Sequence, residues 1–204
     1  ARAIGAVNTL VHHGGMLLGH NTDAGGFLRA LHQAGFAPQG KHALVLGAGG
    51  AARAVAYALL RAGVARLDLH NRSKDRAEAL AGRFAALGQV RVPDDSELEA
   101  GVRDADLLVN TTPVGMEQGG VDPGDSPLPG GLLPVRALVV DLIYRPAETR
   151  LLAGARAAGL AVQNGLPMLV YQGAASFALW TGREAPAEIM FEAARAALAG
   201  RSVE

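Results

Sequence analysis

The sequence predicts an α/β fold: a doubly wound, parallel sheet covered by helices on both faces. Short runs with no polar break, such as Ala43 to Leu46, Leu107 to Val109 and Leu138 to Val140, read as strands buried on both sides. Segments between them carry apolar residues at helical spacing. Strands and helices alternating at this interval imply right-handed crossovers within one sheet.

Taken in order, Val7 to Val11 and Met16 to His20 are expected as short strands around a Gly14-Gly15 turn, a hairpin. Thr22 or Asp23 then caps a helix in which Phe27, Leu28 and Leu31 recur at helical spacing. Gly35 closes it, and Pro38-Gln39-Gly40 connects onward. Ala43 to Leu46 is the first strand of the sheet, followed by a glycine-rich turn and a helix to Leu60. Arg66 to His70 is the second strand, and a helix from Lys74 to Leu87 follows. Gln89 to Val92 is a weak third strand, and Asp104-Ala105 leads into a fourth, Asp106 to Asn110. A Gly/Pro-rich stretch, Gly115 to Pro134, precedes the fifth, Ala137 to Asp141. A helix from Glu148 to Ala158 leads to the sixth, Leu160 to Gln163. Two final helices, Leu166 to Thr181 and Pro186 to Ala199, have no strand between them, so they are expected to leave the sheet and pack beside the hairpin. Met168, Tyr171, Ala175, Leu179 and Trp180 read as the core-facing stripe of the first of these.

Composition excludes several classes of function. A chain of 204 residues can bury one substantial core or two small ones. With 19% charged residues and zero net charge, it offers no field to nucleic acid or an anionic membrane. The absence of cysteine removes disulfides, thiol chemistry and Cys-bound zinc. No apolar run is long enough to span a bilayer, no targeting pattern is present, and a cytoplasmic location is expected. The six histidines show no metal-type spacing beyond the adjacent pair His12-His13, so surface positions and no metal site are expected. The sequence starts at Ala1 without Met, and reads as a chain cut upstream.

The first chemical motif is Gly47-x-Gly49-x-x-Ala52, placed after a strand and opening a helix. Gly47 permits the tight turn, Gly49 leaves room for a pyrophosphate, and small Ala52 lets helix and strand approach closely. Ala48, Gly50 and Ala51 complete the loop, whose amides and helix dipole suit a diphosphate. The alternative is a glycine turn that binds nothing. The context favours a Rossmann-type dinucleotide site. An NAD-preferring site would usually place Asp or Glu about 20 residues on, at the end of the second strand. There the sequence reads His70-Asn71-Arg72-Ser73-Lys74-Asp75-Arg76. A carboxylate would repel a 2′-phosphate; Arg72 and Arg76 can pair with one and Ser73 can donate to it, which favours NADP. Such arginines can also be plain solvated surface.

Several ordered motifs extend this reading: Gly-Ala-Val-Asn-Thr at 5–9, Gly-His-Asn-Thr-Asp-x-x-Gly at 19–26, Gly-Ala-Gly-Gly-Ala at 47–51 and Asn-Arg-Ser at 71–73. Further along come Asn110-Thr111-Thr112-Pro113-x-Gly115-Met116, Asp141-x-x-Tyr144-x-Pro146-x-x-Thr149 and Gly165-Leu166-Pro167-Met168-Leu169-x-x-Gln172. Over its full length the chain resembles the shikimate dehydrogenase family. The resemblance implies an oxidoreductase of aromatic amino-acid biosynthesis, in the chorismate pathway, that reduces 3-dehydroshikimate to shikimate with NADPH. It implies that Asn8, Asp23 and Gln172 bond the substrate hydroxyls, that Tyr144 lies near substrate and nicotinamide, and that Thr111, Leu142, Gly165 and Met168 lie at the nicotinamide end. A site that hydrogen-bonds each hydroxyl rejects analogues lacking one. It further implies that Asp23 partners a catalytic lysine, which, with a serine pair for the substrate carboxylate, lies upstream of Ala1; Lys41 and Lys74 are in the wrong places. On this reading 1–22 is a remnant of an N-terminal α/β substrate lobe, 23–37 a linking helix, 38–165 the NADP-binding domain, and 166–204 helices returning to the substrate lobe. Dinucleotide affinity with little or no turnover is then expected of this polypeptide.

Plainer readings stand beside these. Asp23 can be a helix N-cap, Asn8 a turn residue, Gln172 a solvent-facing helix residue, and Tyr144 a packed aromatic. An NAD-preferring quinate/shikimate dehydrogenase and a non-catalytic NADP-binding module are the rival functions. A methylenetetrahydrofolate or glutamyl-tRNA reductase would share the nucleotide domain but not explain Asn8, Asp23 and Gln172 together. The small molecule is the expected partner, with a homodimer left open.

Overall fold

The computed structural model describes residues 1–117 and 125–200, so part of the Gly/Pro-rich stretch, 118–124, lies outside the described residues. A hairpin of β1 (Thr9–His13) and β2 (Met16–His20) comes first, then helix α1 (Asp23–Gln33). The Rossmann unit follows as β3 (His42–Leu46), α2 (Gly50–Arg61), β4 (Arg66–His70), α3 (Lys74–Phe84), β5 (Val90–Arg91), α4 (Asp95–Asp104) and β6 (Leu107–Asn110). It continues through β7 (Leu138–Asp141), α5 (Arg150–Ala157) and β8 (Ala161–Gln163), and the chain then enters α6 (Leu166–Thr181) and α7 (Ala187–Leu198).

The sheet order is β5-β4-β3-β6-β7-β8, and every pairing is parallel. Alternate strand residues face opposite layers. Ala43, Val45, Leu67, Leu69, Leu107 and Val109 join one cluster with residues of α1, α2 and α3. Leu44, Leu46, Leu108 and Val139 join another with α4 and α5. These strand residues are all buried, which is why β3, β6 and β7 carry unbroken apolar runs; β4 instead alternates, with Asp68 between Leu67 and Leu69.

Four sequence expectations need correction. The segment before β6 is a helix, α4, headed by a capping box: Asp94 Oδ1 accepts from the Ser96 and Glu97 amides at 3.0 Å, and Glu97 reaches back to the Asp94 amide. His42 is not a surface histidine. Its ring packs 3.0 Å from Asp68, which also meets Arg66 at 3.1 Å; Asp68 is 1% exposed and lies beside Leu44 in the sheet register. The apolar stripe of α6 is also only partly core. Met168 is buried, but Trp180 is 61% exposed and donates its indole N–H to the Leu10 carbonyl at 2.9 Å, tying α6 to the hairpin.

The start of α1 also differs from both capping expectations. Asn21 Oδ1 accepts from the Ala24 amide at 3.2 Å, whereas the Thr22 side chain makes no cap bond. The Thr22 hydroxyl is occupied elsewhere, within hydrogen-bonding distance of Asn8 and Ser176. Asp23 is thereby relieved of capping by its own side chain and keeps its carboxylate for other partners.

Helices α1 and α6 approach so closely that a Cβ on Gly26 would lie 2.7 Å from the Gln172 amide nitrogen. The collision is with backbone, which cannot rotate away. Gly26→Ala is expected to destabilise the chain by about 1–3 kcal/mol through overpacking. Gly25→Ala, whose Cβ meets nothing within 4 Å, is expected to stabilise it by about 0.5–1 kcal/mol. Urea unfolding of the two variants checks the contrast.

Candidate active site

Two stretches of loop and the α1–α6 junction carry the candidate residues. The glycine-rich loop leaves β3 at Gly47, whose φ of +111° and contact with Thr111 admit no side chain: a Cβ would strike the Thr111 hydroxyl and lie 3.2 Å from Thr112 Cγ2. The Gly47 amide donates to the His70 carbonyl at 2.8 Å, so the loop is pinned to the end of β4. Ala48 is half-buried, and Ala52 is fully buried where α2 meets the sheet. No side chain caps α2, and a Cβ on Gly49 or Gly50 would meet nothing within 4 Å. Amides of Gly49, Gly50 and Ala51 therefore face open space at a positive helix end, which fits a diphosphate.

Beside that loop lies a cavity of about 410 Å³ lined by Gly49, Gly50, Arg53, Arg76 and Arg83 among others. Arg72 lines a separate cavity of about 400 Å³ with His70, Asn71, Lys74 and Asp94. The two predicted phosphate-binding arginines thus flank the start of α3 from different sides. Ser73 begins that helix, and Asn71 Nδ2 closes the turn by donating to the Ser73 carbonyl at 2.8 Å. Burial pushes the His70 imidazole below its ordinary pKa, an effect partly opposed by the Asp95 charge. Arg53 and Arg83 were not singled out from sequence. Each also reaches the N-terminal segment: Arg53 donates to the Gly5 carbonyl at 3.0 Å and Arg83 to the Arg2 carbonyl at 2.9 Å. The available signal was spacing, since Arg53 is one turn into α2 and Arg83 lies seven residues beyond Arg76 on α3.

At the carboxyl ends of β6 and β7 a cavity of about 490 Å³ is lined by Thr111, Thr112, Pro113, Leu142, Tyr144 and others. Tyr144 is 40% exposed, not a packed core aromatic. The Thr111 hydroxyl donates to the Leu46 carbonyl at 2.7 Å, joining this cavity to the end of β3. Gly165 and Met168 are not among its lining residues. Gly165 packs against the Leu142 carbonyl, and its amide donates to the Ile143 carbonyl at 2.9 Å. Met168 is 8% exposed and belongs to the core cluster of α1 and α2.

Asn8, Asp23 and Gln172 converge. Asn8 Nδ2 donates to Asp23 Oδ1 at 2.8 Å and lies 3.4 Å from Gln172 Oε1, joining positions 164 residues apart. Asn8 Oδ1 accepts from the Thr22 amide at 2.9 Å, which fixes the orientation of its amide. Gln172 Nε2 donates to the Leu169 carbonyl at 2.8 Å. Beneath this trio lies a buried hydroxyl cluster that sequence reading missed: Ser176 Oγ is 2.7 Å from Thr9 Oγ1 and 3.0 Å from Thr22 Oγ1. Only folding brings these three small residues together, so no local pattern announced them. Burial raises the Asp23 carboxyl above its ordinary range, with the Asn8 bond opposing. Among the described residues no group of three or more His, Asp and Glu is placed to hold a metal ion.

Comparison with known proteins bears on these constellations. A family model described as shikimate/quinate 5-dehydrogenase matches residues 30–115, and one for the shikimate 5′-dehydrogenase C-terminal domain matches residues 165–195. The NADP(+)-dependent shikimate dehydrogenase of Symbiobacterium thermophilum is 50% identical over 98% of the chain and 69% of the relative. The crystal structure of the Thermus thermophilus shikimate 5-dehydrogenase with NADP(H) and shikimate superposes with a TM-score of 0.84 at 51% identity, over 96% of this chain and 70% of that one. The quinate dehydrogenase of Corynebacterium glutamicum in complex with NAD also gives 0.84, at 35% identity over 96% of this chain and 69% of that one. With half its residues identical to a relative that it covers over more than two thirds, and with the same fold, the chain belongs to the shikimate dehydrogenase family.

Proposed function

We propose that this chain forms the NADP-binding lobe and one wall of the substrate site of an oxidoreductase that interconverts 3-dehydroshikimate and shikimate. The convergence of Asn8 and Asp23, on either side of the hairpin, with Gln172 of α6 carries the reading. An amide pair and a carboxylate, held by buried hydroxyls beneath them, suit a polyol whose hydroxyls must each find a fixed partner. Asn8 Nδ2 occupies one oxygen of Asp23, and the other is available to a substrate hydroxyl. Tyr144 at the rim of the 490 Å³ cavity stands where it can border both ligands. The Asp23 carboxyl, raised by burial, holds a proton to higher pH than a solvated aspartate and so suits proton exchange next to the reacting carbon. The lysine that the family resemblance pairs with Asp23 is neither Lys41, which pairs with Asp106 at 3.7 Å, nor Lys74, which lies beside Arg72.

NADPH supplies the hydride when bound. The amides of Gly49, Gly50 and Ala51 would hold its diphosphate, with Gly47 and Ala48 shaping the turn. Asn71, Arg72, Ser73 and Arg76 would hold the ribose 2′-phosphate; Thr111 and Leu142 would border the nicotinamide, backed by Gly165 and Met168. The end of β4 presents Asn71 where an NAD-preferring site would carry a carboxylate. In this reading residues 1–22 belong to the substrate lobe, α1 links it to the nucleotide domain of 38–165, and 166–204 return to it. The protein works in the cytoplasm on a small molecule, without nucleic acid or membrane, and a homodimer is compatible with it. Among the described residues no helix is long and apolar enough to cross a membrane.

Isothermal titration tests the cofactor reading: NADP is expected to bind at least about tenfold more tightly than NAD, one charged hydrogen bond's worth. Arg72→Ala and Arg76→Ala should each narrow that preference, and equal affinities in the wild type would defeat the assignment. For Asp23, the raised carboxyl means the folded state binds the proton more tightly than the unfolded chain. The associated stability is fully present below the ordinary value of 3.8 and is lost as pH rises through the elevated one. Asp23→Asn is therefore expected to raise Tm at neutral pH while weakening shikimate binding, with the Tm gain shrinking as pH falls toward 3.8. A neutral-pH Tm below that of the wild type counts against the burial argument.

A further inference from the structure

Every residue lining the 490 Å³ cavity except Leu198 lies on one of two loops, 111–116 after β6 and 142–145 after β7. Nothing in their sequences sets the distance between those loops. Two backbone bonds, from the Leu142 amide to the Asn110 carbonyl at 3.0 Å and from the Glu117 amide to the Arg145 carbonyl at 3.3 Å, join them, and so does a buried carboxylate. Asp141 is 0% exposed at the end of β7, directly beside Asn110 in the parallel register. Its Oδ1 accepts from Asn110 Nδ2 at 3.0 Å and from the Ile143 amide at 3.1 Å, and its Oδ2 accepts from the Thr149 hydroxyl at 2.7 Å.

The hydrogens in this cluster can be assigned from the bonds. Asn110 Oδ1 accepts from the Thr112 amide at 3.0 Å and the Thr112 hydroxyl at 2.7 Å, so its Nδ2 must face Asp141. Thr149 Oγ1 accepts from the Leu152 amide at 3.4 Å, and its own hydrogen is directed to Asp141. All three partners thus present a hydrogen to one carboxylate, which opposes the rise in its pKa that burial causes. The first loop hangs from Asp141 through Asn110, the second through Ile143, and the start of α5 through Thr149. An ion pair between Arg145 and Glu117 at 3.4 Å joins the loops again at the surface, where it adds little.

We infer that Asp141 is a positioning residue for the nicotinamide end of the cofactor: it sets the gap between the two walls that hold the ring, without touching the cofactor itself. The inference rests on the proposed NADP reading, since it takes that cavity as the nicotinamide site. Its signature is selective. On that reading the adenosine half would lie at the loop after β3 and the start of α3, two to three strands away from β7.

The test compares Asp141→Asn, Thr149→Val and Thr149→Ser with the wild-type chain. Asp141→Asn keeps the shape, removes the charge and turns an N–H toward the Thr149 hydroxyl. Thr149→Val loses the bond to Oδ2, and Thr149→Ser keeps it. Titration with NADPH and with adenosine 2′,5′-bisphosphate, which lacks the nicotinamide half, reads the effect. Asp141→Asn and Thr149→Val are expected to weaken NADPH about tenfold, the equivalent of one charge-assisted bond, and to leave the bisphosphate within about twofold. Thr149→Ser is expected to match the wild type. Hydrogen–deuterium exchange of the ligand-free chains reads the loops directly and should rise in 111–116 and 142–145 for the first two variants only. Equal weakening of both ligands, unchanged NADPH affinity or unchanged exchange overturns the inference. Failure of the wild type to bind NADPH overturns the cofactor reading and the nicotinamide role with it. Normal wild-type binding that Asp141→Asn leaves untouched overturns this inference alone.

Discussion

Parallel pairing of β3 with both β4 and β6 is the constraint on which the remaining structure depends. Because β4 follows β3 on one side and β6 lies on the other, their loops diverge above the sheet and leave a crevice at the carboxyl ends. Gly47 sits at that point of divergence, bonded to the end of β4 and in contact with Thr111 after β6. A parallel sheet must be covered on both faces, so α1, α2 and α3 pack on one side and α4 and α5 on the other. The crevice is then the one direction in which strand ends and helix mouths can meet a ligand.

Polar groups buried near this edge fix positions that the apolar layers cannot. Apolar packing is non-directional: it closes the sheet but tolerates small shifts of a loop. A carboxylate with three donors, or an amide oriented by a backbone N–H, tolerates fewer. Asp141 and Asn110 span the loops after β7 and β6, and Thr22, Ser176 and Thr9 support the trio of Asn8, Asp23 and Gln172. In both clusters buried small polar residues lie directly behind the groups proposed to meet ligands. The buried Asp68 with His42 and Arg66 is a third such cluster near the opposite, amino-terminal ends of β3 and β4, where no ligand role is drawn from it.

The α1–α6 junction explains how the two parts of the site stay in register. Helix α6 begins at Gly165, beside the loop after β7, and crosses α1 closely enough that Gly26 touches the Gln172 backbone. One rigid element therefore follows the last strand of the sheet and presents Gln172 beside Asn8. Trp180 extends the same helix to the hairpin that carries Asn8 close by. A displacement of α6 would thus move the Asn8, Asp23 and Gln172 trio and the loop after β7 together.

The sequence by itself determined the parallel sheet, the glycine-rich loop after β3 and the arginines after β4, because each is a local pattern: an unbroken apolar strand, glycines at fixed spacing, charges at a strand end. The ordered motifs also named Asn8, Asp23 and Gln172. Helix α4 was legible but passed over; its Asp94-x-x-Glu97 box is a local signal of its own. Only the tertiary structure decided that Asn21 rather than Thr22 or Asp23 caps α1, that Arg72 and Arg76 line different cavities, and that Trp180 is exposed. It alone brought Ser176 to Thr9 and Thr22, and Asp141 to Asn110 and Thr149. The physical reason is that periodicity reports which face of an element is apolar, whereas a hydrogen bond between residues far apart in sequence depends on where two elements cross, and that is set by packing.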